Sequence, residues 1–547
     1  MVPNAFASSV TQDITEDRRV RLPSPDSTGD WWPLEVGVRW PVWIGLGALL
    51  VLAYGFAAPL VDPDLPMHLA TGAWILKHHA VPWVEPFAWT RSGAPYYAYS
   101  WLPEVVYQLI YAHAGATGLR ALNALTQLAG AAALFWLASV NRWKSWTALL
   151  LLFLTVVTST IVAGFLRPQA FLIPLVLLSW ACGIRVLDSA HPRRWAAALA
   201  VVVCISANTH LLFPLTGLPL AIAISRTPFP RRRAAMVAAS LIVGWLVTPY
   251  GLVWPKVFSL YFGHNALFDY PSPIKEFTPG FRAVATYPLW LFIAGVLALT
   301  PWAFGEAKTT SRERMVFGGI WFVGLTGFGM AARGIVVWWF ATLPMLAVVL
   351  EQLPRPRRGW HRRVLIGTIA ALPIVLAVRL AQAGAKSGWD VAPAVRPSVD
   401  GLATWLEQHV QPPAGTRPRM LTDFDFGSYL TWRLPAYSMS IDGRTIFPDS
   451  VALADAYRDP YQTPAPLGPW RSADLAILPL AVPVAGILDT ARGWVRLATV
   501  PAGARVHLPA GLWAREGWLR SALRSSSRHD RYLVSMLGLS HRAAGRQ

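Results

Sequence analysis

The chain is 547 residues long, 54% of them hydrophobic and only 14% charged, against about 25% charged in an average soluble protein. Its apolar residues run in long blocks, which excludes a soluble globule, a disordered chain and a disulfide-stapled module and indicates a polytopic membrane protein. The 48 basic residues exceed the 29 acidic ones to give +19, but the surplus arginines sit in short loops between apolar blocks, where they set membrane orientation rather than bind nucleic acid.

Residues 1–39 are polar, lack an apolar signal core and read as a disordered cytoplasmic tail. Residues 40–60 have about the length that a spanning helix needs and form an uncleaved anchor. Further apolar blocks lie at 118–140, 146–164, 169–187, 195–211, 212–226, 234–250, 285–303, 315–332, 335–351 and 364–381, so a membrane domain of about 11 helices is expected over 40–382. Arg142 and Lys144, Arg185 with Arg193 and Arg194, Arg226 with Arg231 to Arg233, Lys308 to Arg314 and Arg355 to Arg363 fall on one side. By the positive-inside rule that side is cytoplasmic, with the N-terminus. Two joints are irregular. Trp101 to His113 is short and carries Glu104 and Gln108, which suits a helix in the outer interface. The 195–226 stretch is tight for two full spans and admits a re-entrant pair. Cys182 and Cys204 lie inside apolar blocks and match no disulfide or metal pattern.

After about residue 383 the composition turns polar. An amphipathic helix is expected over Leu402–Val410. Strands are expected at Arg419–Asp423, Tyr429–Leu434, Tyr437–Ile441, Leu475–Leu480, Val495–Val500 and Ala504–Leu508. The fold class is therefore a mainly α membrane protein with a C-terminal extracytoplasmic α/β domain over 383–520, then a basic tail over 521–547.

Ionisable residues at the outer ends of the spans are the functional candidates, because burying them is costly unless they are paired or face water. They are Asp62, Asp64 and His68 in the outer loop 61–117, then Arg167, His210, Tyr250, Lys275, Glu276 and Arg333. Carboxylates there serve as a base or as metal ligands, and the cations suit a phosphate. Each has a plainer reading too. Two acids beside a helix make a solvated cap, Arg167 and Arg333 can snorkel to headgroups, His210 can pack helices, and Tyr250 fits an aromatic belt. In the outer domain, Asp423, Tyr429, Asp442 and Arg444 are secondary candidates, with Asp-Gly-Arg first of all a turn.

The run DPDLPMHLATGAWILKHHAVPWVEPFAW, followed by SWLPEVVYQLIYAHAG, resembles the first outer loop of bacterial GT-C superfamily glycosyltransferases. RPQ at 167–169, NTH at 208–210, TPYG at 248–251 and IKEF at 274–277 extend the likeness, as do TDFDFGSYLTWRLP (422–435) and SIDGRTIFPD (440–449). Pro66 departs from the pattern, which has Trp there, and Glu85 stands where Asp-Pro-Phe is common. The resemblance implies a plasma-membrane enzyme that moves a sugar from a polyprenyl-phosphate donor to a glycan, lipid or protein hydroxyl on the outer face. It implies Asp64 or Asp62 as base, basic residues on the lipid phosphate, and a divalent ion (Mg or Mn) near the two acids. Asp62 and Asp64 share a face if their segment is extended. Two rivals are a flippase or transporter for a lipid-linked solute, which would carry internal symmetry, and a non-catalytic envelope scaffold.

Overall fold

The computed structural model describes residues 60–144, 166–262, 288–353, 390–444, 472–502 and 509–525 with a few gaps, part of 147–155, and isolated positions in 51–58, 280–282 and 378–385. The chain is mostly helical with a small C-terminal sheet. The helices are α1 (Leu65–His78), α2 (Trp101–Asn141), α3 (Pro168–Asp188), α4 (Pro192–Ala207), α5 (Leu218–Ser225), α6 (Arg231–Leu246) and α7 (Trp254–Phe262). Next come α8 (Pro288–Glu306), α9 (Ser311–Met330) and α10 (Ile335–Gln352). Among the described residues α2, α3 and α10 are long and apolar enough to cross a membrane, and α6 with α7 makes a pair bent by 94°. The expected spans at 40–60 and 364–381 lie almost wholly outside the described residues, as do the two termini.

The expected outer helix at 101–113 is the first arm of α2, set off from the second by Gly115 at φ 57° and ψ −154°, a conformation that only glycine adopts readily. The crowded 195–226 stretch resolves into α4, a 3₁₀ turn over Phe213–Gly217 and the eight-residue α5. None of these pieces has the roughly 20 residues of a full span. Asn208 ends α4 and ties three segments together. Its Oδ1 accepts from Trp101 Nε1 at 2.8 Å, and its Nδ2 donates to the carbonyls of Cys204 at 2.8 Å and Val247 at 2.9 Å. NTH, TPYG and the start of α2 are thus brought to one end of the bundle.

The C-terminal part holds α11 (Arg396–His409), β1 (Arg419–Thr422), α12 (Phe424–Arg433), β2 (Ser438–Met439), β3 (Leu475–Pro479), α13 (Pro483–Thr490), β4 (Trp494–Val500), β5 (Ala510–Arg515) and α14 (Glu516–Ser525). The sheet order is β2-β1-β3-β5-β4, parallel from β2 to β3 and antiparallel beyond. The strand expected at Tyr429–Leu434 is instead the second half of α12. Asp423 caps that helix, its Oδ1 accepting from Phe426 N at 2.8 Å, and the buried Phe426, Tyr429 and Leu430 recur at helical spacing. The 504–508 strand falls outside the described residues.

One apolar core runs from the first outer loop into this domain. Leu65, Leu69 and Tyr107 are buried in the same cluster as Phe426, Tyr429, Leu430 and Leu475. The C-terminal part is therefore seated on α1 and the first arm of α2. That contact places the site.

Candidate active site

The site begins with a turn. Asp62 is only 1% exposed, and its Oδ1 accepts from the backbone N–H of Asp64 at 3.0 Å. Leu65 N donates to the Asp62 carbonyl at 3.3 Å. Asp64 sits at the N-cap of α1 with φ −82° and ψ −18°, so the Asp-Pro-Asp segment is a tight Asx-type turn, and the extended geometry that would put both acids on one face is not adopted. The two carboxylates consequently differ. Asp62 turns inward, and Asp64, with its side chain 23% exposed, lines an open cleft.

Arg167 stands at the N-cap of α3, where Pro168 starts the helix. Its Nε donates to Asp62 Oδ2 at 2.5 Å and its Nη2 to Asp62 Oδ1 at 3.3 Å, and the same Nη2 lies 3.6 Å from Asp64 Oδ2. A planar guanidinium thus grips the buried acid with two bonds and leans on the exposed one. Both Asp62 oxygens are engaged by Arg167 and Asp64 N–H, a donor set that does not fit a divalent ion. Among the described residues no group of three His, Cys, Asp or Glu side chains gathers to hold a metal.

One turn along α1, His68 Nδ1 lies 2.9 Å from Glu104 Oε1 on α2. Gly72 allows this approach, since a Cβ there would stand 2.1 Å from the Glu104 carbonyl oxygen. Glu104 is 3% exposed. Sequence reasoning passed over it as a mark of an interfacial helix, although an acid inside an apolar run was the available signal.

The C-terminal part supplies the facing wall. The loop after α1 lies on the sheet edge: Ser438 Oγ donates to the Phe87 carbonyl at 2.6 Å, Thr90 Oγ1 to Ser440 O at 2.5 Å, and Ala88 bridges Met439. Glu85 Oε1 accepts from Phe87 N at 2.8 Å, Ala88 N at 2.9 Å and Arg444 Nη2 at 2.7 Å. Arg444, 5% exposed, also donates through Nε and Nη2 to Asp442 at 2.8 and 2.6 Å. Its guanidinium carbon lies 5.0 Å from the Phe87 ring centroid and 4.8 Å from that of Tyr96, within cation–π range. Gly443 meets Asp64: a Cβ there would stand 2.3 Å from Asp64 Oδ1 and 2.6 Å from Ser428 Oγ. An added methyl would have to displace one of these two side chains.

These walls enclose a cleft of about 620 Å³, open mouth included. Asp64, His68, Arg167 and His210 line it together with Glu104, Tyr96, Tyr97, Tyr99, Tyr261, Gly443 and Arg444. His210 Nδ1 accepts from Leu212 N at 3.1 Å, and its ring meets Tyr99 edge-on at 5.6 Å. Asp64, His68, Arg167, His210 and Arg444, far apart in the chain, therefore meet at one cleft. The tyrosine wall was not foreseen, although YYAYS at 96–100 carries most of it.

Other candidates sit elsewhere. Tyr250 is buried in an aromatic cluster with Trp83, Tyr97 and Trp254 and does not line the cleft. Tyr429 donates to Asp400 Oδ1 at 3.1 Å and is packed in the core, while Asp442 braces Arg444. Asp423 is a helix cap whose carboxyl is pushed up to about 7 by desolvation and by neighbouring Asp425. Lys275 and Glu276 fall outside the described residues. Arg333 lies in the 3₁₀ turn Ala332–Gly334, and its side chain falls outside them.

No protein-family model matches the chain, and neither does any curated protein. Among solved structures, ArnT from Cupriavidus metallidurans in the apo state superposes with a TM-score of 0.51 at 15% identity, covering 88% of this chain and 98% of that one. ArnT is a GT-C glycosyltransferase. The chain has a GT-C-like fold. The structure of the same ArnT bound to undecaprenyl phosphate gives a TM-score of 0.49 at 16% identity over 87% of this chain and 98% of that one.

Proposed function

We propose that this GT-C-like protein is an integral-membrane glycosyltransferase that moves a sugar from a polyprenyl-phosphate-linked donor to an acceptor hydroxyl on the outer face of a bacterial plasma membrane. The observation that carries the reading is Asp64, which lines the cleft while Asp62 and Arg167 hold it from behind. The fold, the order of motifs and a cleft between an apolar bundle and a polar domain support the donor class. Such a donor needs a site that meets both lipid and water.

In this scheme the acceptor hydroxyl gives its proton to Asp64 as its oxygen attacks the sugar carbon, and the bond to the lipid phosphate breaks with its electron pair on phosphate. A carboxylate in hydrogen-bond reach contributes roughly 10²–10⁴-fold to such a step. Arg167, His68 and His210 are assigned to the phosphate and sugar, with Lys275, Glu276 and Arg333 as further contributors. The acceptor is a glycan, a lipid or a protein.

The test is transfer from radiolabelled polyprenyl-phosphate sugars in native lipid extract. Asp64→Asn is expected to remove activity by at least about 10²-fold at unchanged melting temperature, and Asp62→Asn to lower both. Full activity in both variants overturns the assignment, and lipid or solute flux without any transfer product favours a flippase. Gly443→Ala is a subtler probe. The added methyl must displace the Asp64 carboxylate or the Ser428 hydroxyl, which is 2.6 Å from its position. A shift of about 1 Å at the base predicts up to about 100-fold slower transfer, read as kcat, with the fold intact by size-exclusion elution.

A further inference from the structure

We infer that His68 and Glu104 form a second proton-handling pair in this cleft, His68 acting as the acid toward the leaving phosphate and Glu104 as the residue that positions it. The inference rests on the transferase reading and adds the fate of a second proton.

Geometry carries it. His68 follows Asp64 by one helical turn, its backbone N–H donating to the Asp64 carbonyl at 3.1 Å, and both side chains line the cleft. Glu104 Oε1 takes Nδ1 at 2.9 Å, which fixes the ring's orientation and leaves Nε2 as the nitrogen able to meet a ligand. No other hydrogen bond from the His68 ring occurs among the described residues. Glu104 Oε2 is buried and without a hydrogen-bond partner among them. A buried carboxylate with one oxygen unmet is costly unless a cation stands beside it, and the imidazolium is the cation in contact.

The surroundings agree. Burial opposes charge on His68, but the hydrogen bond and the charge of Glu104, with Asp64 and Asp62 behind them, outweigh it and raise the histidine above its ordinary range. From α2, Tyr107 adds an edge-on ring at 6.3 Å. Across the cleft stand neutral Tyr96, His210, whose Nδ1 accepts from Leu212 N, and two cations, Arg167 and Arg444, each already paired with carboxylates.

In the reaction the acceptor oxygen forms its bond to the sugar carbon and the carbon–oxygen bond to phosphate breaks. The acceptor proton goes to Asp64, and the Nε2 proton goes to the leaving phosphate oxygen. Transfer of the Asp64 proton to His68 through solvent resets both groups, with no net change in the enzyme.

The test compares the full-length wild type with Glu104→Gln and His68→Gln for transfer and for binding of methyl farnesyl phosphate, from about pH 5.5 to about pH 9. That phosphodiester keeps one charge over the range, so any pH dependence of binding belongs to the protein. Wild-type rate and binding are expected to fall as pH rises through the titration of His68. Glu104→Gln should move that fall down by about one pH unit or more, and His68→Gln should abolish it with kcat lowered about 10²-fold. A wild-type profile in Glu104→Gln, or a wild-type rate in His68→Gln, overturns the pair while leaving the Asp64 assignment standing. Absence of transfer in every preparation, with pH-dependent diester binding that His68→Gln removes, overturns the transferase reading and upholds the phosphate contact of His68.

Discussion

Arg167→Met is expected to destabilise the protein by about 3–5 kcal/mol and to stop transfer. The arginine is the only cation paired with buried Asp62 among the described residues, so its loss leaves a buried carboxylate with the Asp64 N–H as its remaining hydrogen-bond donor among them and only the more distant charge of His68 beside it. The turn that presents Asp64 should then loosen. A melting temperature in detergent and a transfer assay check both effects. The double variant Arg167→Met with Asp62→Asn should recover most of the stability, since no charge is stranded, but not the rate. Recovery of both would reduce the clamp to a purely structural pair.

The second large effect is expected at Arg444→Met. Glu85 and Asp442 both have fully buried side chains and share this one guanidinium. Without it two carboxylates face each other, and Glu85, which also holds Phe87 and Ala88, must take up a proton or move. The loss is again about 3–5 kcal/mol for a broken buried pair, but it is local. It should appear as faster protease cleavage in the 84–92 loop and the outer domain, with the membrane helices protected. Arg444→Lys should restore only part of the stability, because an ammonium cannot reproduce the forked grip on Asp442. Equal protease resistance in Arg444→Met and wild type would contradict this account.

Much of this was legible in the sequence, for physical reasons. Spans follow from the cost of exposing backbone polar groups to lipid, so α3 and α10 fall where the apolar blocks place them. The grouping of Asp64, Arg167 and His210 follows from their shared position at span ends. What could not be read depends on contacts distant in the chain. Tyr429 alternates well enough for a strand, but the Asp423 cap and packing on α1 make that segment a helix. Asp-Gly-Arg reads as a turn, and it is one. Only the fold shows that the arginine is also the partner of Glu85, the residue noted merely as a departure from a pattern. Glu104 was visible, but its significance depends on His68 lying across a helix crossing at Gly72.

The bond between Glu85 and Arg444 spans 359 positions of sequence, and it carries a consequence for biogenesis. At roughly 5–20 residues per second of synthesis, Glu85 is made on the order of 20–70 s before its arginine. Until then Glu85 lacks its guanidinium partner, and its loop lacks the sheet edge on which it lies. The cleft wall built on Arg444 is therefore among the last parts of the fold to be completed.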